Sequence, residues 1–89
     1  MEKKIIHFVI ERLLVEQEAA SREKEGNFYG ADLIREEFWW KNEEFDNFAK
    51  NCGSRVWEAY ENLLHQCLNE AYSGTGFDTV IEKLKEVEQ

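Results

Sequence analysis

Proline is absent from this chain, and glycine occurs only five times, four of them in two short clusters. That scarcity of chain-breaking residues leaves long uninterrupted stretches and favours helices. Cysteine is limited to Cys52 and Cys67, with no CxxC pair. That argues against a disulfide-stapled secreted scaffold and for a reducing compartment, the cytosol. The N-terminal run Ile5, Ile6, Phe8, Val9, Ile10 is interrupted by His7 and closed by Glu11, with no small-residue cleavage site after it. It reads as an amphipathic helix, neither a signal peptide nor a membrane span. Base is scarce as well: 11 Lys and Arg face 19 Asp and Glu, for a net charge of −8.

The acid is unevenly placed. Residues 1–30 carry a net of −1, residues 31–51 carry −3, and residues 52–89 carry −4. Such a chain repels phosphate backbones and anionic membranes, which excludes direct nucleic-acid binding and leaves no membrane role. Basic proteins are its natural electrostatic partners, although solubility alone is the plainer use of the same charge. Eighty-nine residues make a single domain, 1–89. A chain this short buries only about 60–65% of its unfolded surface. Its 13% aromatic content helps a small core reach useful apolar area.

Periodicity predicts an all-α domain, a small bundle of four helices, or five if the second segment breaks. Segment one, about residues 2–24, puts Ile5, Ile6, Val9, Ile10, Leu13 and Leu14 on one arc, continued by Gln17 and Ala20. Phe8 and Val15 form a thinner stripe on the opposite side, a surface for another helix or for a second copy. Gly26-Asn27-Phe28-Tyr29-Gly30 is expected to be a turn whose rings fold back as a lid, in preference to standing out for recognition. Segment two starts near Ala31 or Asp32, with Asp32 as a candidate N-cap. Ile34, Phe38, Phe45, Phe48, Ala49 and Cys52 share its core stripe, flanked by Leu33 and Trp40. Lys41 interrupts that stripe, and segment two is read either as one helix that tolerates the defect or as two, with a break at Lys41-Asn42 and Asn42 capping a second short helix whose first turn holds Glu43 and Glu44.

Segment three, about 54–72, is the most regular, with Val56, Trp57, Tyr60, Leu63, Leu64, Cys67, Leu68 and Ala71 on one arc, and is expected to be the central element. After Ser73-Gly74-Thr75-Gly76, with Thr75 or Asp78 as cap, a last helix carries Phe77, Val80, Ile81, Leu84 and Val87.

Chemistry-bearing motifs are missing. His65 and Cys67 are two residues apart and cannot meet on a helix, and no third group orients a base. The two His and two Cys match no zinc spacing, so no metal is expected. Gly74-Thr75-Gly76 lacks the basic residue of a phosphate-cradling loop, and no cofactor is expected. Adjacent acids such as Glu36-Glu37 are solvated, not tuned for acid–base work. No catalytic residue is assigned, and the chain is not read as an enzyme.

Trp39 stands out. On an unbroken helix, Asp32, Glu36, Glu43 and Asp46 lie three, four or seven residues away and ring the indole with carboxylates. An acidic collar around a large apolar ring suits docking on a basic partner, and the alternative is that Trp39 packs against segment one or the aromatic loop while the acids only solubilise. The expectation is a small acidic inhibitor that occludes a basic surface, such as a nuclease or another nucleic-acid-processing enzyme. Its carboxylates would stand where phosphates bind, as a nucleic-acid mimic. Immunity proteins and phage-encoded inhibitors share this size, charge and helicity, but no motif ties the chain to them. The alternative is a self-associating structural or regulatory module, a homodimer built on the Phe8–Val15 stripe.

Overall fold

A computed structural model describes residues 3–88, so the expected start of segment one at Glu2 lies outside the described residues. Five α-helices follow one another: α1 (Lys3–Lys24), α2 (Phe28–Lys41), α3 (Glu43–Asn51), α4 (Gly53–Glu70) and α5 (Phe77–Glu88). A wide π-type turn, Ala71–Thr75, joins the last two. The domain is all-α, in the five-helix form.

Helix α1 stops where the backbone can turn without strain. Gly26 has φ +83°, its N–H donates to the Glu23 carbonyl at 3.0 Å, and the Asn27 N–H donates to the Arg22 carbonyl at 2.9 Å. This pair of bonds is the Schellman closure, which wants glycine at the left-handed position. Nothing lies within 4 Å of a Cβ built there. Gly26→Ala is therefore expected to lose roughly 1–2 kcal/mol through backbone strain alone, read as a lower urea midpoint with an unchanged slope.

Asn27 then caps α2 by accepting from the Gly30 N–H at 2.9 Å. The second helix thus begins at Phe28, three residues before Ala31 and four before Asp32, and Asp32 is not its cap. A competent capping side chain right after the turn outweighs the glycine at position 30. Phe28 and Tyr29 consequently lie in the first helical turn and point to solvent instead of closing as a lid.

Segment two is broken, the alternative to the single helix on which the Trp39 collar rests. Asn42 separates α2 from α3, accepts from the Phe45 N–H at 2.9 Å and donates to Glu11 on α1 at 3.0 Å. Glu43, Glu44 and Asp46 occupy the first turn of α3, at the positive end of its dipole. Phe38 and Phe45 are both buried, and the bend leaves Lys41, which an unbroken helix would carry into the same stripe, exposed.

The central helix is α1, not α4. It packs against α2, α4 and α5, because it is apolar on two sides. Phe8, from the thinner stripe, is buried against Phe45 and Phe48 with ring centroids 5.5 and 4.9 Å away. On α4, Tyr60 and Cys67 are buried, while Trp57, Leu63, Leu64 and Leu68 are half-buried. Neither Thr75 nor Asp78 caps α5 as expected: Asp78 lies in its first turn and accepts from Gln17 of α1 at 2.8 Å.

Candidate functional site

Residues of α2 sort into faces by their spacing. Ala31 and Phe38, seven apart, are buried against α1, with Ile34 half-buried beside them. Opposite them run Tyr29, Leu33, Glu36 and Trp40, spaced four, three and four apart, and all are exposed. Trp40 is 84% exposed and Tyr29 79%. Leu33 and Trp40, expected beside the core stripe, thus face away from it, since each lies well over a quarter-turn from Phe38 on the helix. Phe28, Asp32 and Trp39 form an adjoining exposed row.

Trp39 is 50% exposed. One side of its indole is set edge-on against Phe45 (5.1 Å between centroids) and Phe38 (6.1 Å), and the rest meets water. Asp32 and Glu36 stay on the same helix beside it. Glu43 and Asp46 are exposed on α3, beyond the Asn42 bend, where helical register no longer brings them under the ring. Asp46 is also engaged with Lys50 at 2.9 Å. The structure thus keeps half of the expected collar as one face, and it adds Trp40, Tyr29 and Leu33 to that face.

Charge on this surface is acidic and lightly neutralised. Glu37 pairs with Lys41 at 3.3 Å. Arg35 is drawn inward: its Nη2 donates to Glu16 at 2.7 Å and to Glu23 at 2.9 Å, and its Nε donates to Glu16 at 3.2 Å. Only a 3.8 Å contact links it to Asp32. The bonds to Glu16 and then Glu23 hold the guanidinium pKa well above its ordinary value.

Glu16 was missed by the periodicity reading, although it lies seven residues after Val9 and three after Leu13, inside the apolar arc of α1. It is 7% exposed. Besides Arg35 it accepts from Arg12 at 2.9 Å and from the Tyr72 hydroxyl at 3.1 Å. Burial is the largest influence on its carboxyl and acts to raise the pKa. The hydrogen bonds from Arg35 and Arg12, the Arg12 charge and the Tyr72 bond together outweigh it and hold the group at about 2. An acid inside an apolar arc was the available signal. Its partners, from α2 and the π-type turn, were not readable locally.

A half-open groove of about 650 Å³ lies where α1, α3 and the start of α4 meet, lined among others by His7, Phe8, Phe48 and Cys52. It brings a histidine and a cysteine to one place without coupling them. The His7 nitrogens lie 3.3 Å from Glu11 and from Glu88, and the Cys52 thiol is directed at the Ala49 and Gly53 carbonyls. Burial, and then Glu70, push the Cys67 thiol pKa up, away from a reactive thiolate. Among the described residues no three His, Cys, Asp or Glu side chains converge as metal ligands. No described helix is long and apolar enough to cross a membrane.

Comparison with family models, with curated proteins and with solved structures gives no match for this chain.

Proposed function

We propose that the chain is a small acidic binding protein that docks the outer face of α2 onto a basic surface of another macromolecule. The observation that carries this reading is Trp40, 84% exposed amid Tyr29, Leu33 and Trp39 on a helix whose opposite side already supplies the core. Large apolar side chains gathered on one exposed face are costly unless something covers them. Covering Tyr29 and Trp40 removes roughly 300–400 Å² of mostly apolar surface, worth about 8–10 kcal/mol gross. Association itself costs roughly 4–15 kcal/mol, so the rings alone do not guarantee a tight complex. Asp32, Glu36 and Glu37 supply attraction at a distance and select for a cationic partner. A nucleic-acid-processing enzyme is the proposed target, because its substrate channel must be positive. Occlusion, with carboxylates where phosphates would lie, makes the chain an inhibitor rather than an enzyme.

Self-association is the weaker reading. Phe8, which motivated it, belongs to the core. A second copy laid on the α2 face would oppose one acidic surface with another.

Trp40→Ala with Glu36→Lys is the cleaner test variant, since Trp39 is partly structural through Phe45. The double variant should keep its helical circular-dichroism spectrum and its unfolding midpoint. It should lose the proteins that the wild-type chain retains from the host lysate, identified by mass spectrometry. Those proteins should be basic and should elute as salt rises from low to moderate concentration. Retention that ignores both the variant and salt would sink the proposal.

A further inference from the structure

The exposed side of α2 has a register as well as a composition, and register constrains what can lie against it. Tyr29, Leu33, Glu36 and Trp40 follow a four–three–four spacing, the seam along which one helix stays in contact with another crossing at a shallow angle. The seam covers about three turns, roughly 16 Å. Charge brackets it: Asp32 lies along one edge, Glu37 along the other, and Glu36 within it. The nearby cations are already engaged, Arg35 by Glu16 and Glu23 and Lys41 by Glu37. A convex helix face offers no strand edge for β-augmentation and no cleft for a polyproline segment. The described residues contain no strand, and Tyr29 and Trp40 lie outside the grooves lined by His7 and Phe48, by Leu14 and Ile81, and by Val15 and Phe38.

Resting on the reading of α2 as the docking face, we propose that the element covering it is an amphipathic helix of a partner protein. Its apolar stripe packs along Tyr29, Leu33 and Trp40, and its flanking Lys or Arg residues meet Asp32, Glu36 and Glu37. Charge complementarity selects this occupant over a second copy of the chain, which would bring carboxylates to both sides of the seam.

The test uses three fluorescein-labelled synthetic peptides of roughly 18 residues, long enough to be helical when bound. The first carries leucines at four–three–four spacing with lysines on both flanks. The second has glutamates in place of the lysines. The third keeps the first composition but shuffles the leucines out of register. Fluorescence anisotropy with the full chain should show binding of the first peptide and at least about tenfold weaker binding of the other two. Trp40→Ala, and separately Leu33→Ala with Glu36→Lys, should each weaken the first peptide by about tenfold or more without changing the protein's helical spectrum. Equal binding of the shuffled peptide would reduce the effect to charge and overturn the proposal, as would indifference to both variants. Should all three peptides fail while lysate capture still depends on Trp40 and Glu36, the helical partner falls and the docking face stands. Should capture be independent of α2 too, both fall together.

Discussion

Glu16→Ala is expected to lower the unfolding free energy by roughly 3–5 kcal/mol, the range for breaking a buried ion pair by removing one partner. Two guanidiniums and a phenol converge on this one carboxylate, and it joins α1 to α2 and to the turn before α5. Its loss leaves Arg12 without its carboxylate partner and Arg35 with only Glu23 at close range. An 89-residue domain has about 5–13 kcal/mol of stability in all. The variant should therefore be partly unfolded near its new, lower transition temperature, whereas an exposed change such as Trp40→Ala should stay within about 0.5 kcal/mol of wild type.

The same group gives the protein an acid dependence with a defined window. Its carboxyl sits at about 2 when folded, against an ordinary 4.5. A folded-state value below the unfolded one means that the contribution is complete above about pH 4.5 and disappears as pH falls through 2. The shift corresponds to about 3 kcal/mol. Urea titrations of the wild type and Glu16→Gln across pH 2–6 should show the gap between them narrowing steadily on acidification. A gap that stays constant with pH would mean that the network does not hold the carboxylate charged.

Phe45→Ala should cost a similar amount, roughly 3–5 kcal/mol, by a different mechanism. The ring is 1% exposed. Its centroid lies 4.9 Å from Phe38, 5.1 Å from Trp39, 5.5 Å from Phe8 and Tyr60, and 6.0 Å from Trp57. One side chain of α3 therefore ties together α1, α2 and α4. Truncation opens a cavity bounded by rings too bulky to collapse into it. Phe45→Leu, which refills most of the volume, should lose about 1–2 kcal/mol. Denaturant unfolding checks both values. Tryptophan emission should also shift to the red in Phe45→Ala, because Trp39 loses the surface behind it. That makes Phe45 a support of the proposed docking face as well as of the core.

Much of this architecture is legible from local chemistry. The apolar arc of α1, the stripe Phe38–Phe45–Phe48, the Asn42 cap and the glycine-marked turns depend on residues within a few positions of one another. Helical spacing alone places them. The acidic balance of the chain is likewise plain in composition. Periodicity also flagged an indole that does meet water.

Misplaced features share a cause. A helical wheel shows which residues align but not which neighbour arrives, so α4 looked central because its arc is wide, whereas α1 is covered on more sides. Phe28 and Tyr29 read as loop because two glycines flank them, yet Asn27 is free to cap and draws them into α2. Trp40 and Trp39 are adjacent in the chain, and only the placement of α3 decides that Phe45 backs one indole while the other projects. Glu16 illustrates the limit most sharply. Its position inside an apolar arc is visible in the primary structure, but Arg35 and Tyr72 lie 19 and 56 residues further along. Local periodicity set the helices and their apolar faces, because those depend on short-range geometry. Long-range packing chose the hub, the buried ion network and the exposed rings, because burial belongs to neighbours that no local pattern names.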